Sequence, residues 1–150
     1  MTIANPAPAN HALAHHATTD LATVSVVVNT VDRATSLATL LAALEHQSYP
    51  NFELIVVVGP THDDTLAVLD GYVGRVRVLR CGRANLSESR NIGLLAAHGE
   101  IVAFVDDDAV PSYHWLAQVV AAFSAAESAA QGQGLGSERP SIICGFAEGQ

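Results

Sequence analysis

The sequence predicts an α/β fold in which a mostly parallel sheet is covered by helices. Three observations carry that expectation. Short β-branched, apolar runs recur along the chain, as in "VSVVV", "ELIVVV" and "EIVAFV", the composition of parallel strands buried on both faces. Segments with helical spacing lie between them. The resulting order, β-α-β-α-β-α-β-α-β, implies parallel pairing through right-handed crossovers. Sheets of this kind take ligands at the carboxyl ends of their strands.

Residues 1–21, rich in Ala, Pro, Asn and His, hold no period and read as a disordered tail ahead of a single domain at 22–150. His11, His15 and His16 could share a helical face and bind a metal, but a solvated tail is the simpler reading. The first strand lies in "ATVSVVVNT". In the next segment Leu37, Leu40, Leu41 and Leu44 fall at i, i+3, i+4 and i+7, one helical face, and Pro50 stops further helix. "FELIVVVGP" is a second strand, closed by Gly59 and Pro60. "HDDTLAVLDGYVG" is a short helix with Asp63 as its N-cap and Gly71 at its end. "RVRVLRC" alternates like a partly exposed strand near an edge. Asn85 and Glu88 resemble a capping box at the start of a third helix, with Gly99 as its C′ residue. "EIVAFV" is the fourth strand. "PSYHWLAQVVAAFSAA" is an amphipathic helix that points Trp115, Leu116, Val119, Val120 and Phe123 to one side. "QGQGLGSERP" is a loop and "SIICGF" a fifth strand.

The composition excludes several function classes. The chain has 150 residues, about half of them apolar, with a formal net charge of −8. That charge disfavours nucleic-acid binding, which calls for a basic patch. Every basic residue other than histidine is an arginine, so a P-loop, which needs a lysine, is impossible. The dinucleotide fingerprint is absent as well, because "GQGLGS" has its glycines at the wrong offsets and follows a helix. Cys81 and Cys144 lack metal-type spacing and read as free thiols in a reducing compartment. No apolar run is long enough to span a membrane, and no signal peptide is visible. The default is a soluble cytoplasmic protein, with peripheral membrane association left open.

The stretch "IVAFVDDDAVP" places Asp106, Asp107 and Asp108 at the carboxyl end of the fourth strand. Adjacent like charges repel, so the cluster needs compensation or a wet setting. One explanation is a hard divalent cation, Mg²⁺ or Mn²⁺, held by one or two carboxylates and the phosphates of a substrate. The other is structural: one aspartate caps the helix that starts near Pro111, and the rest are solvated. Asn29 and Thr30 after the first strand, and Gly59 and Pro60 after the second, converge on the same edge.

Taken together, "VSVVVNTVDRATSLATLLAALEHQSYPNFELIVVVGPTHDDT", "LSESRNIGLLAAHGEIVAFVDDDAVP" and "HWL" resemble the nucleotide-sugar half of a family 2 glycosyltransferase. The resemblance runs over roughly residues 23–146. It implies a GT-A, Rossmann-like, three-layer αβα sandwich and metal-dependent, inverting transfer from a nucleotide-diphosphate sugar. The base-holding loop of that family falls on Thr30, Val31, Asp32 and Arg33. Its S-R-N-x-G segment falls on Ser89, Arg90, Asn91 and Gly93. Arg90 is the candidate for a base or phosphate contact, the alternative being an ion pair with Glu88 or a nearby aspartate. Asn91 could equally tie the helix to the neighbouring loop. The D-x-D motif maps to Asp106 and Asp108: Asp106 would contact ribose or metal, Asp108 would ligate the metal, and Asp107 between them is counted with the nucleotide-sugar contacts or points away.

Two departures from the family pattern stand out. Val58 occupies the place after the second strand where the family often has an acid that reads the base. Asp63, which matches the family's S-T-D, reads as a helix cap. The chain is also shorter than family catalytic domains. The general base is expected beyond residue 150, since Glu148 comes too early. The chain is therefore expected to be a truncated or split enzyme, an inactive fragment, or one completed by a partner chain. A non-catalytic nucleotide-binding or interaction module on the same fold is the alternative, and a nucleotidyltransferase, which would need a basic glycine-rich loop, ranks below both.

Overall fold

A computed structural model describes residues 21–132. The expected tail at 1–21, with its three histidines, lies outside them except for Leu21, whose carbonyl accepts from Asn51 Nδ2, and the expected fifth strand with Cys144 and Glu148 lies outside as well. Four strands form one parallel sheet: β1 (Val24–Thr30), β2 (Phe52–Val58), β3 (Arg77–Arg80) and β4 (Ile101–Asp106), in the order β3-β2-β1-β4. The helices are α1 (Ala34–Glu45), α2 (Thr65–Asp70), α3 (Leu86–Ala96) and α4 (Trp115–Gly132). β1 is central, in register with β2 from Val24↔Phe52 to Thr30↔Val58 and with β4 from Val24↔Ile101 to Asn29↔Asp106.

Alternation along the strands sorts side chains to two cores. Val24, Val26 and Val28, with Leu54, Val56, Val58, Ile101 and Ala103, pack beneath Leu37, Leu40, Leu41 and Leu44 of α1, Leu69 of α2 and Leu116 of α4. Val27, Ile55, Val57 and Cys81 face the other way, against Ile92 and Ala96 of α3. The layers are therefore α1, α2 and α4 on one side, the sheet, and α3 on the other. Cys81 is a buried free thiol whose Sγ donates to the Arg83 carbonyl, 3.1 Å away.

Glycine fixes how closely α3 approaches. A Cβ at Gly93 would stand 2.3 Å from Val27 Cγ1 and 3.3 Å from Val57 Cγ2, so α3 rests on the sheet where a side chain is missing. Gly99 differs from expectation. It is not a left-handed C′ residue; it passes the start of β1, where a Cβ would lie 2.6 Å from the Ser25 amide nitrogen. Its own N–H donates to Ser25 Oγ at 2.8 Å. Gly71, expected to end α2, does so in right-handed conformation, and the left-handed glycine is Gly74 at φ 82°.

β3 is a short edge strand, as its alternation predicted. β4 is the other edge of the described sheet, and on its α3 side Phe104 is 40% exposed. α4 begins at Trp115, later than the predicted helix, and runs through Gln131 and Gly132, which the sequence assigned to a loop. Its first turn is served by Gln47, whose Oε1 accepts from Leu116 N at 3.0 Å while its Nε2 donates to the Ser112 carbonyl at 2.8 Å.

Candidate active site

At the carboxyl edge the loops after β1 and β2 lead to helices on one face and the loop after β3 leads to α3 on the other, which leaves a crevice between them. A cleft of about 220 Å³ lies there, lined by Asn29, Thr30 and Val31 from β1, Gly59 after β2, Arg83–Asn85 after β3, and Leu86 and Ser89 of α3. Its floor is fixed by short contacts. Asn29 Nδ2 donates to Ser89 Oγ at 2.6 Å, tying β1 to the first turns of α3. Gly59 N donates to the Thr30 carbonyl at 2.9 Å, and a Cβ there would stand 2.5 Å from Val31 Cγ2. Asn85 caps α3 by accepting from Glu88 N at 3.1 Å, while the Glu88 carboxylate pairs with Arg83 at 3.2 Å. Val58 is fully buried under α1, so the last side chain of β2 does not reach the cleft.

The loops after β1 and β2 are bound to each other. Asp32 sits at φ 50°, a left-handed position that a short polar side chain tolerates by bonding locally. Its Oδ1 accepts from His62 N at 2.5 Å. The Thr61 hydroxyl lies 2.9 Å from both Asp32 Oδ1 and Asp63 Oδ1, with one proton to give. The His62 amide and then the Thr61 hydroxyl hold the Asp32 carboxyl below the ordinary carboxylate range. Asp63 serves two helices at once. Its Oδ2 accepts from Ala34 N, the first residue of α1, at 2.8 Å. Its Oδ1 accepts from Thr65 N at 3.0 Å and the Thr65 hydroxyl at 2.5 Å. The N-cap position of α2 is Asp64, whose side chain makes no capping bond. The Thr65 hydroxyl, then the Ala34 amide, keep the Asp63 carboxyl well below its usual range.

The three aspartates diverge. Asp106 ends β4 on the α3 face, exposed, with Arg90 Nη2 3.7 Å from its Oδ1. Arg90 also lies over the Phe104 ring, 5.9 Å from its centroid. Asp107 turns inward on the opposite face and is buried. Burial pushes its carboxyl up, against the Thr30 hydroxyl and Arg33, which pull it down. The Thr30 hydroxyl, itself buried, is close enough to act on that carboxyl but lacks a partner in good hydrogen-bond geometry. Asp108 is exposed and accepts from Arg33 Nη1 at 2.6 Å, with the same nitrogen 3.6 Å from Asp107 Oδ1. None of the three caps α4, whose start is held by Gln47, so the capping explanation for the cluster fails.

The oxygens are of the kind a hard divalent cation takes, carboxylates at a strand end with two of the three exposed, and each now lies beside a guanidinium group. Among the described residues no three His, Cys, Asp or Glu side chains converge to hold a metal alone. Such an ion would need phosphate oxygens to complete its shell, the usual habit of Mg²⁺.

Thr30 and Val31 line the cleft, and Arg33 joins the aspartates. Arg90 pairs with Asp106 rather than with Glu88. Asn91 is exposed on α3, outside the cleft lining. Asn29 and Gly59, which the sequence brought to this edge without a role, line the cleft, whereas the Arg83–Asn85 segment was missed, although its place after β3 was the available signal.

A crevice at the carboxyl edge of a parallel αβα sheet, with a carboxylate turn on the neighbouring strand end, is where open α/β folds take their ligands. Residues 25–140 match the family described as glycosyl transferase family 2, and the chain belongs to it. It is 42% identical over 105 residues, 65% of the chain, to "Uncharacterized protein y4gI" of Sinorhizobium fredii. It is 32% identical over 90 residues, 56% of the chain, to the poly(ribitol-phosphate) beta-N-acetylglucosaminyltransferase TarS of Staphylococcus aureus. A crystal structure of TarS residues 1–349 in complex with UDP superposes on 69% of the chain with a TM-score of 0.62 and 29% identity. The mannosyltransferase PcManGT of Pyrobaculum calidifontis, in complex with GDP-Man and Mn²⁺, superposes on 59% with a TM-score of 0.55 and 25% identity. The chain spans 12% of y4gI, 16% of TarS, and 32% and 28% of the two chains of known structure.

Proposed function

We propose that the protein binds a UDP- or GDP-sugar at this edge, with Mn²⁺ or Mg²⁺, and takes part in inverting transfer of the sugar to a hydroxyl acceptor. One observation carries the reading: the cleft at the end of β1 and the aspartate turn at the end of β4 adjoin, with Asn29 in register with Asp106. The base lies in the cleft, against Val31 and Leu86. Arg33 and Arg90 face the diphosphate, for which a guanidinium fork is suited. Asp106 and Asp107 orient the ribose and sugar, and Asp106 and Asp108 would hold the cation. Bound there, it would supply positive charge against that building on the departing nucleoside diphosphate. The acceptor oxygen forms its bond to the anomeric carbon on the face opposite the breaking bond to phosphate, which inverts that centre. The base that takes the acceptor proton is assigned to none of residues 21–132. Solved structures of similar proteins in complex with UDP, and with GDP-Man and Mn²⁺, support the choice of ligand class.

A second reading, a nucleotide-binding module without transfer, is favoured by the guanidinium partners that all three carboxylates already have. Calorimetric titration with UDP and GDP, with and without Mn²⁺, on chain shown to be folded by circular dichroism, tests both. Metal-dependent binding that Asp108→Ala abolishes is the expected result. Binding indifferent to Mn²⁺ and to that substitution would put the module reading first, and no binding by folded chain would sink the donor site.

A further inference from the structure

We propose that Arg33 is an internal cation that competes with the divalent metal for Asp108, so that metal and diphosphate bind together rather than separately. The inference rests on the metal-assisted donor reading above and assigns a role within it.

Its first support is a broken local rule. Arg33 occupies the N-cap position of α1 and makes no capping bond. Arginine is a poor residue for that place, having no acceptor to offer and a positive charge at the positive end of the helix dipole. The missing cap comes from another loop, as Asp63 accepts from Ala34 N at 2.8 Å. Such locally unfavourable choices, compensated elsewhere, mark residues held for their side chains.

Its second support is where that side chain goes. It crosses to the end of β4 and places one nitrogen 2.6 Å from Asp108 Oδ2 and 3.6 Å from Asp107 Oδ1. The loop behind it is fixed by Asp32, left-handed at φ 50° and bonded to His62 N. The guanidinium is thus aimed from a braced base at two of the three carboxylates.

A metal ion on Asp108 would meet this guanidinium within a few ångströms, and the two cations repel. Metal arriving alone must therefore displace Arg33. A diphosphate changes the balance, because its oxygens give the guanidinium a new partner and leave Asp108 free. Linkage then requires that each ligand tighten the other by the same factor. If Arg33 were only an exposed ion pair, a kind that contributes little to stability, removing it would leave metal binding unchanged.

The test is Mn²⁺ binding to the full chain, read from the electron paramagnetic resonance signal of free Mn²⁺, with and without UDP or GDP. In the unaltered protein a nucleotide is expected to tighten Mn²⁺ binding about tenfold or more. In Arg33→Met, Mn²⁺ without nucleotide is expected to bind about tenfold tighter than in the unaltered protein, and the coupling to fall by about the same factor, the remainder coming from direct contact of metal and phosphate. Arg33→Lys keeps a cation in place and should stay close to the unaltered protein. Should Arg33→Met fail to fold, Arg33→Gln is read against Arg33→Lys in the same way. Folded Arg33→Met or Arg33→Gln that binds nucleotide-free Mn²⁺ no tighter than the unaltered protein overturns the proposal. If nucleotide-dependent Mn²⁺ binding is still lost in Asp108→Asn, that failure belongs to Arg33 alone. No Mn²⁺ binding in any protein with either nucleotide overturns the metal reading as well.

Discussion

Gly93→Ala sets two opposed effects against each other. In a helix interior, alanine is favoured over glycine by about 1 kcal/mol, so propensity alone predicts a more stable protein. Packing predicts the reverse. The added Cβ would lie 2.3 Å from Val27 Cγ1 and 3.3 Å from Val57 Cγ2, both on strands whose valines are fully buried. Val27 is β-branched and stiff at χ1, so relief requires moving α3 away from the sheet. Overpacking of this kind costs about 3 kcal/mol, the upper part of its usual range. The net expectation is a loss of about 2 kcal/mol. Val27→Ala removes the obstructing methyl and alone costs about 2.5 kcal/mol through its cavity. Simple addition gives about 4.5 kcal/mol for the double variant, yet the new methyl fills part of that cavity, and we expect about 1.5 kcal/mol. Urea unfolding followed by far-ultraviolet circular dichroism reads all three as midpoint shifts at constant slope. Gly82→Ala, where nothing lies within 4 Å of an added Cβ, is the control. A Gly93→Ala protein at least as stable as the original, or an additive double variant, would refute the reasoning.

The other expected outcomes use the same structure. Gly99→Ala should be more damaging than Gly93→Ala, because its Cβ meets backbone, 2.6 Å from Ser25 N and 2.7 Å from the Thr23 carbonyl; the loss of folded protein in the same urea titration measures it. Asp63 has its folded pKa depressed by the Thr65 hydroxyl and the Ala34 amide. Its contribution is therefore present above the unfolded carboxylate pKa of about 4 and fades as pH falls through the folded value. Stability of the unaltered protein should accordingly decline in acid more steeply than that of Asp63→Asn, which thermal melts from pH 7 down to pH 3 would show.

Much of this fold is visible in one-dimensional pattern. β-branched runs mark β1, β2 and β4, because parallel strands buried on both faces have little room for polar residues. The i, i+3, i+4, i+7 leucines of α1 are the four that become fully buried. The glycines were harder to read. Gly99 and Gly71 follow helical segments, which in sequence looks like a C′ signal, whereas Gly99 is required by an approach to Ser25 from 74 positions away along the chain. The strand-end position of the aspartates was legible, since Asp106 ends β4. Their individual directions were not. Asp107 goes inward, and Arg33 reaches Asp108 across 75 positions, a meeting set by the β1–β4 pairing and by no local spacing. Asp63, read as the N-cap of α2, does bond Thr65 of that helix although the N-cap position is Asp64, and its second duty, at α1, depends on the neighbouring loop.

The bonds from Asp32, Thr61 and Asp63 also have a mechanical meaning. The β1–α1 and β2–α2 loops share these carboxylates and behave as one stiff jaw, rooted in the two most buried strands. Opposite it stand Arg83–Asn85 and the start of α3, anchored to the short edge strand β3, while the aspartate turn lies at the end of the other edge strand, β4. Splitting the jaw would break the Asp63 bond that caps α1 and the Asp32 bonds to Thr61 and His62 together, so the edge-borne parts are the less costly ones to move.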